Sequence, residues 1–148
     1  MIHGWETDAM EIRIYEELPQ SAAAIRTAVF MEEQGFVNEM DETDQVAVHL
    51  VMYDGETPVA TCRIFQKADR DAYILGRLAV MKAYRGRQIG AGMMQRAEEY
   101  VRGKGGKRMA LHAQCTAMDF YRKQGFEEQG DVEEEEGCPH MWMYKELG

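Results

Sequence analysis

The 148-residue sequence contains no apolar run close to the roughly 20 residues that a membrane-spanning helix needs, so we expect no membrane contact. Its first residues show no basic start followed by an apolar stretch, which argues against export. It has only three cysteines, Cys62, Cys115 and Cys138, an odd number at scattered spacings. That argues against a disulfide framework and predicts free thiols in a reducing cytoplasm. No His, Cys or carboxylate spacing fits a metal site.

Basic residues are outnumbered by acidic ones, 17 to 26, and many of them are concentrated in one stretch. The net charge is −9, and residues 127–136 hold seven carboxylates without a Lys or Arg. Residues 82–108 instead carry eight basic and two acidic residues, a local balance of +6. A basic band in an acidic protein predicts a site for a small anionic ligand. A nucleic-acid-binding protein would be basic over the whole chain, and this one is acidic, so we expect no nucleic-acid partner.

The length predicts one domain over residues 1–148, with residues 1–10, which show no clear pattern, as a short extension. Predicted strands cover residues 11–18, 46–53, 59–66, 73–80, 107–114, 126–136 and 139–147. Predicted helices cover residues 19–35, 88–102 and 117–123. The order β-α-β-β-β-α-β-α-β-β is that of a mixed α+β domain, with an antiparallel meander formed by its second to fourth strands.

Three charged side chains interrupt apolar faces in this pattern. Glu33 continues the face of Ala22, Ile25 and Val29, and it lies either in water at a frayed helix end or against a cleft. Arg63 and Arg77 fall on adjacent strands, where they line either a solvated sheet face or the wall of a cleft.

The stretch YILGRLAVMKAYRGRQIGAG, residues 73–92, combines a buried strand, a loop of Arg85, Gly86 and Arg87, and a helix that begins at Gln88. Unpaired backbone N–H groups and the helix dipole make such a helix start an anion site, and glycine allows close approach of a ligand. No Gly-Lys-(Ser/Thr) follows, which excludes a P-loop nucleotide site.

The loop resembles the pyrophosphate loop of GNAT N-acetyltransferases, (Arg/Gln)-x-x-Gly-x-(Gly/Ala), with Gln88 in place of the first glycine and Gly90 at the end. A second stretch, QCTAMDFYRKQGF at residues 114–126, resembles another GNAT signature, with Gln114 in place of Asn. VFMEEQG at residues 29–35 and the PHMWM ending resemble the ElaA-like branch. The resemblance implies a central mixed, mostly antiparallel twisted sheet flanked by helices, with a splayed strand pair forming the acyl-CoA cleft.

The resemblance further implies that acetyl-CoA is the cosubstrate and an amine the acceptor. The backbone of residues 78–80 (Leu78, Ala79, Val80) would pair with the pantetheine arm. The N–H groups of residues 85–90, with the Arg85 and Arg87 side chains nearby, would take the pyrophosphate. The remaining predicted cofactor-binding residues of this stretch are Gly86, Gln88, Ile89, Gly90 and Ala91. Gln114 and Phe120 would line the cofactor, and Tyr121 would lie near its sulfur.

Direct attack of a neutral amine on the thioester needs a proton donor for the departing thiolate. Tyr121 suits that task because a phenol stays protonated at neutral pH, although an aromatic core residue would show the same pattern. Many GNAT members carry a Glu that acts as the general base at the position where this chain has Arg77. Glu33, His49 and His112, or a water held by them, are therefore the candidate bases, ahead of His140 in the tail.

The carboxylates Glu32, Glu33, Glu39, Asp41, Glu42 and Asp44 crowd the segment after the first helix. They either attract a cationic amine or keep a surface loop soluble. The leading prediction is a cytoplasmic N-acetyltransferase. The alternative is a non-catalytic acyl-CoA-binding or regulatory module, and a homodimer is compatible with either.

Overall fold

The structure, a computed structural model, describes residues 10–37 and 40–148. Within these residues, eight strands form one sheet in the order β1-β2-β3-β4-β5-β8-β6, with β7 also paired to β8. The strands are β1 Met10–Tyr15, β2 Val48–Asp54, β3 Thr57–Lys67, β4 Ala72–Val80, β5 Arg108–Gln114, β6 Glu127–Glu128, β7 Glu133–Glu135 and β8 Cys138–Glu146. Among these described strands, only β4 and β5 pair in parallel. The predicted fold class and the antiparallel meander are thus confirmed. The predicted extension, apart from Met10, lies outside the described residues.

The helix α2, Ile89–Gly103, packs against one face of the sheet. Its apolar residues at four-residue spacing, Ile89, Met93, Ala97 and Val101, are at most 2% exposed. They join Leu50, Cys62, Leu75 and Met109 among others in the larger core. Burial of a full apolar stripe on one helix face is the main force that holds this helix on the sheet.

The opposite face is covered by α1, Gln20–Arg26, which continues directly into a π-helix, Thr27–Glu33. Ala22, Ile25, Val29 and Phe30 pack there against Val51, Tyr53 and Ala79. The sequence predicts one ordinary helix over residues 19–35. The wider turn at its end changes where Glu33 and Gln34 lie, and π-helical turns occur often at functional sites.

The acidic stretch 127–136 forms two short strands rather than the one predicted. The chain turns at Gly130, whose φ of +92° favours glycine, and this turn separates β6 from β7. Both strands border β8, so their carboxylates lie beyond the last long strand of the sheet. Short, charged outer strands discourage edge-to-edge association between sheets, which gives this charge run a structural reason.

The last helix, α3 Met118–Lys123, follows a short 3₁₀ turn after β5 and ends before Gly125. Phe126, the residue after Gly125, is 3% exposed in the main core. No helix in the described part of the chain is long and apolar enough to cross a membrane. All three cysteines are free thiols, as predicted.

Candidate active site

The strands β4 and β5 separate over most of their length. Their parallel ladder includes only Tyr73 with Met109 and Ile74 with Ala110. On its other side, β4 pairs with β3. The interval from Gly76 to Ala79 on β4 pairs with the shorter interval from Thr61 to Arg63 on β3, so β4 contains a β-bulge. Arg77, inside the bulge, has φ +54°. A bulge bends the strand that contains it, so this one directs the end of β4 away from β5 and opens the sheet.

The loop between β4 and α2 supplies unpaired backbone donors at that opening. Gln88 is the N-cap of α2 with φ +62°, a left-handed conformation that costs a non-glycine residue about 1 kcal/mol or more. The position at which the GNAT pattern has glycine is therefore one whose backbone favours glycine. As the helix begins, Gly92 N donates to Gln88 O, so the N–H groups of residues 89–91 precede the helical ladder.

One cavity of about 720 Å³ occupies the opening and extends from the loop to α3 and the π-helix; it is called the main cavity below. Eleven of the predicted cofactor residues line it, namely Leu78, Ala79, Val80, Arg85, Gly86, Gln88, Ile89, Gly90, Ala91, Phe120 and Tyr121. Arg87 and Gln114 do not. The Arg87 guanidinium lies over the Tyr84 ring, 4.8 Å from its centroid.

Tyr121 projects from α3 into this cavity. Its ring makes edge contacts with Phe120 and Phe126, with centroids 5.1 and 6.3 Å apart. Burial raises the pKa of the Tyr121 phenol, and the nearby Cys62 adds to the effect. The phenol is therefore protonated at neutral pH. Burial likewise raises the pKa of Cys62 to about 12, so its thiol stays neutral.

Gly90 allows α2 and α3 to approach each other. A Cβ atom at this position would lie 3.2 Å from Phe120 Cζ and 3.9 Å from Val80 Cγ2. The small residue at the end of the loop motif thus makes room for an aromatic ring of the second motif. The two motifs, 24 positions or more apart in the chain, meet at this contact.

Glu33 lies at the end of the π-helix beside the loop. Its carboxylate accepts two hydrogen bonds from Arg85, from Nη1 at 2.9 Å and from Nη2 at 2.8 Å. These bonds lower the pKa of Glu33. The Glu33 side chain is exposed and does not line the main cavity, but it is bound to Arg85, a partner that neither interpretation of Glu33 included.

Gln34, which the sequence does not single out, lies between two cavities. It lines the main cavity and also a side cavity of about 480 Å³, whose walls include Phe36, Gln114, Thr116, Glu136 and Cys138. Its Oε1 accepts a hydrogen bond from Gln114 Nε2 at 2.8 Å. Gln114 therefore faces the side cavity and not the cofactor surface that the resemblance implies, because its longer side chain reaches across the opening to the π-helix.

His112 lies on β5 away from the main cavity. Its ring stacks between His140 and Trp142, with centroids 5.0 and 4.8 Å away, and its Nε2 lies 3.1 Å from Glu133 Oε1. Burial lowers the pKa of His112 despite the neighbouring carboxylates. The other predicted base, His49, is 1% exposed, and its Nε2 lies 3.1 Å from the Asp44 carbonyl oxygen. Burial lowers the pKa of His49 as well.

A buried ion network holds the acidic segment onto the sheet. Asp44 accepts hydrogen bonds from Arg26 at 2.8 and 3.1 Å and from Arg63 at 2.9 Å. Asp41 accepts from Arg63 at 2.6 Å and from Arg77, in the bulge, at 3.2 Å. Arg63 is only 5% exposed, so the solvated-face interpretation is wrong for this residue. Three of the six crowded carboxylates, Glu33 among them, are paired with arginine; Glu39 lies outside the described residues.

A splayed strand pair, a loop of unpaired N–H groups and a partly buried phenol border one cavity, which is the arrangement that the GNAT resemblance implies for an acyl-CoA cleft. The Acetyltransferase (GNAT) domain family matches residues 16–147, and the chain belongs to that family. It is therefore an acyltransferase. Within residues 10–37 and 40–148, no group of three or more His, Cys, Asp or Glu side chains could hold a metal ion.

The chain is similar to proteins that carry little assigned chemistry. It is 34% identical over 135 residues to the uncharacterized N-acetyltransferase YjcF of Bacillus subtilis, covering 88% of this chain and 94% of YjcF. It is 30% identical over 128 residues to protein ElaA of Escherichia coli, covering 83% and 84%. The crystal structure of Escherichia coli ElaA matches with a TM-score of 0.82 at 28% identity, over 92% of this chain and 99% of that one. The expected ElaA-like branch is confirmed.

Proposed function

We propose that the protein transfers the acetyl group of acetyl-CoA to a primary amine by direct attack, with Tyr121 as proton donor to the departing thiolate. The observation that carries this proposal is the main cavity, which joins the loop donors, the β4 backbone and the Tyr121 phenol in one continuous space. The pyrophosphate lies against the N–H groups of residues 86–91, and the pantetheine arm follows the open edge of β4. The thioester then lies between β4 and Tyr121.

In the reaction, the amine nitrogen attacks the thioester carbonyl carbon, and the C–N bond forms as the C–S bond breaks. Tyr121 gives its phenolic proton to the coenzyme A sulfur, and the attacking amine loses a proton. Because its pKa is raised, Tyr121 carries its proton at neutral pH, as the donor in this step must. Water then returns a proton to the phenolate when the products leave.

Two residues are proposed for deprotonating the amine. Glu33 lies next to Gln34 at the cavity, but the Arg85 hydrogen bonds that lower its pKa weaken it as a base. His112 has a lowered pKa and so is neutral at pH 7, as a base must be, but its ring lies under Trp142 and His140. We propose that the acceptor amine enters through the side cavity, because Gln34 is shared between that cavity and the main one.

The test is thiol release from acetyl-CoA with a panel of amines, combined with calorimetric acetyl-CoA binding. Turnover that falls in Tyr121→Phe while binding is retained supports the proposal. Acetyl-CoA binding without turnover on any amine would instead identify a non-catalytic acyl-CoA-binding module. Comparing Glu33→Gln with His112→Phe across pH identifies the base, since only loss of the base removes the acidic limb of the kcat/KM profile.

A further inference from the structure

The end of the π-helix connects both walls of the open cleft. Glu33 contacts Arg85, which belongs to the loop after β4, through two hydrogen bonds of 2.9 and 2.8 Å. The next residue, Gln34, contacts Gln114 at the end of β5 through a hydrogen bond of 2.8 Å. Two adjacent residues thus span the gap that the β4–β5 ladder leaves. We refer to Glu33 and Gln34 as the bridge.

The Arg85 guanidinium points toward this bridge. Besides the two Nη contacts with Glu33, its Nε donates to the carbonyl oxygen of Val80 at 2.9 Å. All three guanidinium nitrogens therefore donate to protein acceptors. A planar fork that meets a carboxylate with two parallel bonds is a geometrically specific arrangement, which fixes the orientation of both side chains.

The geometry points to Arg85 as a positioning residue that holds the Glu33–Gln34 bridge across the cleft, while backbone N–H groups of the loop and of α2 bind the cofactor pyrophosphate. This assignment differs from the phosphate-binding role that the family resemblance implies for the Arg85 side chain. The role of the bridge toward the acceptor amine rests on the proposed function, whereas the assignment of the pyrophosphate to backbone N–H groups does not.

The bridge lies at the place where the two reactants would meet. Gln34 lines the main cavity on one side and the side cavity on the other. Its amide is oriented by Gln114, and its backbone is fixed by the π-helical hydrogen bond from Gln34 N to Val29 O at 3.2 Å. Glu33 and Arg85 hold the same turn from the other side. Loss of either member of that ion pair should therefore misplace Gln34 and weaken binding of the acceptor amine, with little effect on the affinity for acetyl-CoA.

The chain offers a matched control two positions away. Arg87 is on the same loop and carries the same charge, but its guanidinium lies over Tyr84 and it does not line the main cavity. Arg87→Ala therefore reports the effect of removing one positive charge near the pyrophosphate. Arg85→Ala removes the same charge and also the contact with the bridge.

The first measurement is the calorimetric Kd for acetyl-CoA of the wild type, Arg85→Ala, Arg87→Ala, Glu33→Gln and the Glu33→Gln/Arg85→Ala double variant. We expect Arg85→Ala to weaken acetyl-CoA binding no more than Arg87→Ala does. If Arg85→Ala weakens it tenfold beyond Arg87→Ala while Glu33→Gln has no effect, Arg85 is a phosphate ligand and the proposal is wrong. This result is decisive even for a protein that acetylates no amine.

The second measurement is a double-mutant cycle on the KM of an acceptor amine from the panel. Glu33→Gln and Arg85→Ala should each raise that KM by roughly 2- to 5-fold, the range of a well-aligned, partly exposed ion pair, and the double variant should raise it no further. Because Glu33 is also a proposed base, the turnover number is compared only for Arg85→Ala, in which KM should rise more than kcat falls. Additive effects on KM, or a fall in the kcat of Arg85→Ala with its KM unchanged, would refute the bridge.

Folding is controlled separately by thermal unfolding of each variant. If Arg85→Ala fails to fold, Arg85→Lys replaces it, since lysine keeps the charge but cannot form the two parallel bonds. If Arg85 is a phosphate ligand, Arg85→Lys should leave both the acetyl-CoA affinity and the acceptor KM unchanged. If Arg85 positions the bridge, Arg85→Lys should leave the acetyl-CoA affinity unchanged but still raise the acceptor KM.

Discussion

Replacing Asp44 with Asn tests the buried ion network that holds the acidic segment next to the bulge. The Asp44 carboxylate accepts three bonds from Arg26 and Arg63 and a fourth from the Asp41 backbone N–H at 3.0 Å. Burial alone would raise the pKa of Asp44, but these donors outweigh it and bring the pKa from 3.8 down to about 2. At 1.36 kcal/mol per pKa unit, the charged form contributes about 2 kcal/mol to folding.

At pH 7, Asp44→Asn should lower the free energy of unfolding by more than this contribution of about 2 kcal/mol. The introduced asparagine would leave two buried guanidinium groups beside a neutral amide, and breaking a buried ion pair typically costs about 3–5 kcal/mol. We expect a loss of about 3 kcal/mol, because the amide oxygen still accepts one of the bonds. Urea unfolding at pH 7 measures it, with Glu42→Gln on the same short helical turn as the exposed control.

The pH dependence has a definite sign. Because folding lowers the pKa of Asp44, its stabilisation is complete above about pH 4 and is lost as the pH falls toward 2. By pH 3 the wild type should have lost about 1 kcal/mol from this group, and Asp44→Asn has no such group to titrate. The difference in unfolding free energy between the two proteins should therefore narrow by that amount from pH 7 to pH 3. A gap that does not change with pH, or a loss under about 1 kcal/mol at pH 7, would refute this account.

Three further predictions concern catalysis. Tyr121→Phe keeps the ring and its packing, so we expect turnover to fall about 10²-fold with acetyl-CoA affinity retained, and an unchanged turnover number in steady-state kinetics would exclude the proton-donor role. Gly90→Val should weaken calorimetric acetyl-CoA binding at least about tenfold, because its side chain would push the Phe120 ring into the main cavity. Gly103→Val is the matched control, since a Cβ there meets nothing within 4 Å, and equal losses in both would exclude that mechanism. Arginines pair with Asp41, Asp44 and Glu33, so these carboxylates attract a cationic amine only weakly, and its kcat/KM should exceed that of a matched neutral amine by less than about threefold. A larger advantage that disappears at high salt would show that the acidic segment does attract cations.

The sequence predicted the parts of the fold that local patterns encode. Alternation of apolar residues identified the meander, and four-residue spacing identified the buried face of α2. The glycine-rich loop was recognisable because its backbone function needs small residues and a helix start. These features depend on neighbours within a few positions along the chain.

The bulge and the ion network were not predictable in the same way. Arg77 and Gln88 adopt positive φ, yet neither is a glycine that would mark such a conformation. Arg63 read as a polar residue on a strand, because its burial depends on Asp41 and Asp44, about 20 positions earlier. Partners at that distance leave no periodicity, and the same applies to Gln34 and Gln114, which are 80 positions apart.

The π-helical stretch makes the site sensitive to chain length as well as to chemistry. Each residue of a helix advances the chain by about 1.5 Å and rotates it by roughly 100°. Deleting one residue within Thr27–Glu33 would let the segment relax into an ordinary helix and would rotate Glu33 and Gln34 away from Arg85 and Gln114. Insertions and deletions should therefore be far less tolerated in this segment than conservative side-chain replacements, although its own surface contains few residues that the reaction needs.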